Sequence, residues 1–358
     1  MKVLQLVDSL DVGGTERVAV NTANALSNRI DKSYLCATRK EGILKDSISD
    51  NVEYLFLDKN RRIDFKAIKK LKTFIRVNEI DLIHAHSSSF FLAVLIKLLY
   101  PKVKIIWHDH YGNSEFINHR KSGVLPVTSR FFSHVLSVNT KLKVWAETKL
   151  NCNYIDYLPN FALPDNNKPV TRLSGEAGMR IIHLANLRPQ KDHKTLLKAF
   201  KEVIKVYPDW TLHCVGKDFE DEYSKSLKFL VSELQLNSSV YFYGSKQDIS
   251  NILKTCDIGV LSSKSEGLPI ALLEYGFAKL PVVVTNVGDC IKVVSSLKEG
   301  LLINKEDIGA LKEAIIKYIS DKRLRTQNAI RLFEKVTESY SETAVVNKLI
   351  TIYKLHLK

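Results

Sequence analysis

Paired thiols and long apolar runs are both scarce in this sequence of 358 residues. The five cysteines, Cys36, Cys152, Cys214, Cys256 and Cys290, form no CxxC pair, and no histidine stands at metal-ligand spacing from any of them. So odd and scattered a set excludes a disulfide scaffold and a structural zinc site, and it points to buried thiols in a reducing compartment. The longest apolar run, Phe90 to Tyr100, contains Lys97 and has about half the length of a bilayer-spanning helix. The opening MKVLQLVDSLDVGG holds an apolar stretch interrupted by Gln5 and closed by Asp8. That is short for a secretion signal, so the expectation is a buried strand running into a turn. The sequence also lacks a solenoid-length repeat, a low-complexity tract and the GxGxxG fingerprint of dinucleotide binding.

Acidic charge is in deficit as well. Lys+Arg number 53 against 39 Asp+Glu, a net charge of +14 spread over both halves of the chain. Nucleic acid, an anionic membrane surface and a phosphate-bearing substrate would each suit that excess. A basic nucleic-acid-binding protein would require clustered Lys/Arg interleaved with aromatics or a recognisable module, and neither is present, so no nucleic acid is expected. One basic run remains. Lys59–Arg76 holds eight basic residues against Asp64, with Phe65, Ile68, Leu71 and Ile75 at near-helical spacing. It reads as a core helix with a solvated outer face or as a helix resting on anionic lipid.

The remainder is ordinary globular sequence, 45% hydrophobic and 26% charged, and at this length two domains are expected. Short apolar runs alternate with helical patterns from Lys2 to Val138, and again from Met179 onward. Alternation of this kind predicts an α/β fold of two tandem doubly wound, Rossmann-like domains facing across a cleft, each sheet parallel with helices on both faces. The Pro-rich stretch Leu158–Gly178 separates them. The expected division is an acceptor-side domain at 1–164, a donor domain at 165–340, and a C-terminal helix at 341–358 packing back on the first.

Three strand-to-helix junctions carry candidate chemistry. Gly13 and Gly14, after Val12 and before Thr15-Glu16-Arg17, would let the backbone approach an anion at a helix start. In the second half, Arg188 and Lys191 of Asn186-Leu187-Arg188-Pro189-Gln190-Lys191 could clamp a diphosphate, or be a solvated basic loop. The stretch from Ser262 to Glu274 holds Glu266, Gly267, Leu268 and Glu274. Its two carboxylates, eight residues apart, would be separated by about 12 Å if most of the interval were helical, enough to hold hydroxyls at both ends of an elongated ligand. The plainer alternative is a capped helix with two solvated glutamates. Histidines pair at His84/His86 and His108/His110, each pair ending a strand, which raises the odds of a site. No metal is expected there, because no cysteine or carboxylate recurs around them at ligand spacing.

Together these motifs resemble the retaining glycosyltransferases of the GT-B fold, specifically glycosyltransferase family 4. The specific element is SEGLPIALLEYGFAKLPVVVTNVG, supported by GGTERVAVNTANAL, DLIHAH, LPN, RPQKD, VYFYGS and DIGVLSS in the family's order. The resemblance implies a nucleotide-sugar donor, as substrate and not cofactor, with a UDP-sugar foremost. It implies metal-independent transfer with retention to a saccharide or lipid-linked saccharide, in bacterial surface polysaccharide synthesis. Position by position, it gives Glu274 the ribose hydroxyls and Glu266 the hydroxyls of the transferred sugar, and Arg188 and Lys191 the diphosphate. Backbone amides of Gly13 and Gly14 would close on the phosphates. His108 would stand near the reacting sugar, with His110 the second choice. The family's usual Arg, five residues before the Lys of this loop, is Asn186 here, so Arg188 is the substitute. The implied location is cytoplasmic, peripheral on the inner face of the membrane. A nucleotide-sugar 2-epimerase shares the two-domain fold, and the SEGLPIALLE element argues against it.

Overall fold

The computed structural model describes residues 1–11, 13–112, 114–162 and 167–357. Its chain divides into two compact units, Met1–Asn160 together with Glu342–Lys358, and Phe161–Ser341. The expected boundary at 164/165 lies outside the described residues, as does Val12.

In the first unit seven strands form one sheet: β1 (Lys2–Ser9), β2 (Lys32–Lys40), β3 (Val52–Phe56), β4 (Leu82–His86), β5 (Lys104–Asp109), β6 (His134–Ser137) and β7 (Ile155–Tyr157). The order is β3-β2-β1-β4-β5-β6-β7, with every pairing parallel. A parallel sheet must be covered on both faces, which is why its central strands read as unbroken apolar runs. On one face Leu4, Leu6, Ile83, Ala85, Ile105 and Trp107 pack under the helices Phe65–Val77 and Phe90–Leu99. On the other, Val7, Leu35 and Ala37 meet the helix Gly14–Leu26. The helix Glu342–His356 belongs to this unit and buries Val345, Val346, Leu349, Ile352 and Tyr353.

Register places the chemistry. Gln5 stands opposite His84 and His86 opposite His108. Side chains alternate along a strand, so Gln5, His84, His86 and His108 all rise from one face. Strand order reverses between β1 and β4, and ligands of such sheets bind beyond the carboxyl ends of the strands at that point.

The second unit has six parallel strands: β8 (Arg180–Leu184), β9 (Thr211–Val215), β10 (Val240–Phe242), β11 (Ile258–Leu261), β12 (Val282–Thr285) and β13 (Leu301–Ile303), in the order β10-β9-β8-β11-β12-β13. Ile181, Val260 and Val283 face a core shared with Phe200 and Leu311. Ile182, Leu261 and Val284 face Leu272, Leu273, Leu332 and Val336. Here the order reverses between β8 and β11, and their carboxyl ends lead into the two loops singled out in the sequence.

Some elements were not predicted. β7, three half-buried residues reading Ile-Asp-Tyr, offers too short a pattern, and the helices Thr140–Lys149 and Ile249–Lys254 were likewise missed. The sequence pattern from Asp307 to the C-terminus reads as helix throughout, and the chain there forms three helices, Ile308–Ser320, Lys322–Tyr340 and Glu342–His356. Asp321 makes the first break: its carboxylate accepts Leu324 N at 2.8 Å and caps the next helix. Ser341, in extended backbone, makes the second.

Candidate functional site

In the second unit the loops after β8 and β11 are tied together. Lys264 N donates to Gln190 O at 2.8 Å, and Ser262 Oγ donates to the carbonyls of Lys191 and Asp192 at 3.1 and 3.2 Å. Asp192, in left-handed backbone at φ 51°, starts the helix His193–Ile204 by accepting Thr195 N and Thr195 Oγ1. That braces Lys191 at the loop's end. Lys191 Nζ donates to Glu266 Oε1 at 2.6 Å, and Ser263 Oγ donates to the same oxygen at 2.6 Å. The Glu266 side chain is only 8% exposed, so it is a buried carboxylate held by a cation and a hydroxyl rather than a solvated surface charge.

The helix starts later than the Glu266–Glu274 spacing assumed. It runs Ile270–Phe277 with Pro269 before it, so Glu266, Gly267 and Leu268 are loop and only Glu274 is helical. The regular 12 Å rise therefore does not apply. Leu268 is buried and Glu274 half-buried. The loop is held from below by Gly288, which sits at φ +55° where a Cβ would meet Glu266 O at 2.1 Å, while Asp289 N donates to Gly267 O. Only glycine fits that close approach. Gly288 follows β12 in VVVTNVG, and its proximity in space to Glu266 has no signal in sequence spacing.

Arg188 is exposed, with its guanidinium 4.5 Å from the centroid of the Phe219 ring. Lys217 approaches the same ring at 5.0 Å, and Asn186 Oδ1 accepts Lys217 N at 2.8 Å. Asn186 thus braces the loop after β9, and Phe219, missed in the sequence, holds the Arg188 guanidinium over its ring. Tyr275 was missed too. Its buried hydroxyl accepts Leu184 N at 2.6 Å and lies 3.2 Å from Val260 O, which ties β8 to β11 where their order reverses.

In the first unit, Gly13 precedes the helix Gly14–Leu26 in extended backbone, and a Cβ on Gly14 would meet nothing within 4 Å. A Cβ on Gly13 would instead meet the Glu16 carboxylate, so of the two glycines only Gly14 faces open space. The four histidines form one array. Ring centroids lie 4.4 Å apart for His84/His86, 5.2 Å for His84/His108, 5.2 Å for His86/His110 and 4.1 Å for His108/His110. His84, His86 and His108 are buried and His110 is half-buried. Burial pushes the pKa of His84 and of His110 down to about 3, and those of His86 and His108 well below the usual value, so all four rings are neutral at physiological pH. His86 Nε2 lies 2.9 Å from Gln5 Oε1, and its Nδ1 lies 3.0 Å from His110 Nε2. Both His108 nitrogens are buried without a partner. Beside the array Asp109 accepts both Arg120 guanidinium nitrogens, at 2.5 and 3.0 Å, and the guanidinium lies 4.0 Å from the Trp145 ring centroid. Burial raises the Asp109 pKa and Arg120 draws it back.

Among the described residues, only His84, His86 and His108 gather three potential metal ligands, within 4.8 Å of one another. His84 and His86 stack with planes only 19° apart, so their lone pairs lie in nearly parallel planes, and both His86 nitrogens are already hydrogen-bonded. Tetrahedral coordination at about 2.0 Å would require those rings to turn and a bond to break.

Two family descriptions divide the chain between them: Glycosyltransferase Family 4 matches residues 12–160, and Glycosyl transferases group 1 matches residues 170–331. The chain belongs to the family 4 glycosyltransferases. Its fold is GT-B: it matches a glycosyltransferase from Rickettsia africae at a TM-score of 0.82 with 18% identity, covering 100% of this chain and 98% of that one. Anabaena HepE, solved in complex with UDP, matches at 0.80 with 17% identity, covering 99% of this enzyme and 100% of that chain. The glycosyltransferase is also 25% identical, over 96% of its length and 94% of the relative's, to an Escherichia coli protein named UDP-Gal:alpha-D-GlcNAc-diphosphoundecaprenol alpha-1,3-galactosyltransferase.

Proposed function

We propose that this glycosyltransferase moves a sugar, with retention and without a metal ion, from a nucleotide-sugar donor to a saccharide acceptor linked through a diphosphate to a lipid, in bacterial surface polysaccharide synthesis. The observation that carries the reading is the braced Lys191–Glu266–Ser263 constellation beyond β8 and β11, next to the start of the helix that bears Glu274. The Escherichia coli relative's name, with its UDP-Gal donor and diphosphoundecaprenol acceptor, makes a UDP-sugar and a lipid diphosphate the first choices.

Each residue then has a task. Glu274 holds the ribose hydroxyls and Glu266 the hydroxyls of the transferred sugar. Lys191 and Arg188 carry the charge that grows on the diphosphate as the sugar's C1–O bond breaks, fixed cations doing work a metal ion could otherwise do. Arg188 reaches the diphosphate by leaving Phe219, an exposed and inexpensive contact. The acceptor oxygen bonds to C1 on the face the diphosphate leaves, and its proton passes to the departing phosphate oxygen. His108, with His110 as the second choice, stands near the reacting sugar, and the nucleotide sugar is a substrate rather than a resident cofactor. An anionic membrane surface would present such an acceptor to the basic helix Phe65–Val77.

The test is turnover of UDP-, GDP- and other activated sugars with a diphosphate-linked lipid saccharide, in EDTA, with the product's anomeric configuration read by NMR. The expected result is release of UDP and an α-linked product from an α-linked donor. Release of nucleotide only with metal added would remove metal independence, and an inverted product would remove retention.

A further inference from the structure

The orientation of the Gln5 amide sets which way the protons of the histidine array point. Tyr353, on the helix Glu342–His356, has one proton and two neighbours: His84 Nδ1 at 2.5 Å and Gln5 Nε2 at 3.3 Å. Gln5 Nε2–H donates to the Tyr353 oxygen, so the Tyr353 proton turns to His84 Nδ1. Gln5, wholly buried, must then turn its carbonyl oxygen to His86, 2.9 Å away. A carbonyl only accepts, so His86 carries its proton on Nε2 and has a bare Nδ1. That nitrogen can only accept from His110 Nε2, 3.0 Å away. His110 is left as the Nε2–H tautomer with an unprotonated Nδ1 at the half-buried end of the chain.

We infer that His110, rather than the buried His108, presents a bare Nδ1 to accept a hydrogen bond from a substrate hydroxyl, and that Gln5 is the positioning residue that sets this tautomer from two bonds away. The inference rests on the transferase reading for the hydroxyl's identity, but the tautomer itself does not. Reversal of the Gln5 amide would reverse every bond in the chain and turn His110 into a donor. Gln5 is the one element of the array able to dictate direction, because its two ends differ.

Two readouts test this with the full-length protein. In the first, histidine labelled with 15N and read through two-bond proton correlations at neutral pH, with His110→Gln for assignment, is expected to show His110 as Nε2–H. Gln5→Glu, which keeps the acceptor oxygen, should keep that tautomer, and Gln5→Leu should give a mixture. A His110 signal of the Nδ1–H form in the native protein overturns the inference, as does an unchanged His110 in Gln5→Leu. In the second, Gln5→Leu should lower kcat about tenfold or more with donor KM little changed, and Gln5→Glu should restore it. Equal losses in both variants would make Gln5 merely structural. If Gln5→Leu does not fold, the native tautomer and the Gln5→Glu spectrum decide. If no activated sugar is turned over, the transferase reading fails while the tautomer result stands.

Discussion

Gly288 and Arg120 show how single residues hold sites they do not themselves form. A Cβ at 288 would be forced into Glu266 O in a left-handed backbone conformation. Gly288→Ala should therefore cost about 1–3 kcal/mol, read by thermal unfolding, and should lower donor affinity by displacing Glu266. An unchanged midpoint would contradict the packing. Arg120 neutralises Asp109, which is 1% exposed. Arg120→Ala leaves a buried carboxylate unpaired and should cost about 3–5 kcal/mol by urea denaturation; a loss below 1 kcal/mol would mean that water reaches Asp109. Of this detail the sequence showed little. Lys191 and Glu266 could be singled out because they fall in short junctions after strands, and Glu274 because it follows eight residues on in the same motif. Gln5, Gly288 and Tyr275 could not, since their partners lie 81, 22 and 91 positions away and meet only through sheet register.

Among the elements, the helix Phe65–Val77 carries the most specific expectation. Ala67, Ile68, Leu71 and Ile75 are buried, so the core-helix reading of its inner face is correct. Its outer face is basic, and at its start Phe65 is 82% exposed and Ile63 48%. An exposed aromatic amid lysines suits anionic lipid, where the ring enters the interface and the cations meet the headgroups. The enzyme should sediment with vesicles containing anionic lipid and not with neutral ones, and Lys66→Glu with Lys69→Glu should abolish binding. Equal sedimentation with both lipids would leave the helix only a solvated face. The central strands were legible from their unbroken apolar runs, as the rule for buried parallel sheets requires. β7 was not, because three half-buried residues at a sheet edge need little hydrophobicity.

At the scale of the molecule, the buried histidines set a pH limit. His84 and His110 titrate at about 3, and His183 and His213 at about 4, against 6.5 in an unfolded chain. Between those values the unfolded state binds more protons, so stability is retained above pH 6.5 and falls as pH drops through the window, by about 1.4 kcal/mol per pH unit for each fully titrating ring. The raised pKa of Asp109 acts the other way but is a single group. Urea midpoints should drop steeply from pH 7 to pH 5; a flat profile would mean the rings are already hydrated. Two doubly wound sheets were legible from strand–helix alternation alone, whereas the breaks after Ser320 and Tyr340 depend on local caps that a continuous helical pattern hides. The central claim, that the junctions after β8 and β11 hold a nucleotide-sugar donor, is tested most directly by calorimetric titration of the full-length protein with UDP and UDP-sugars in EDTA, beside Glu274→Ala. Saturable binding by the native enzyme, weakened about tenfold or more in the variant, is the predicted result. Absence of binding by the native enzyme, or equal affinity in the variant, would contradict it.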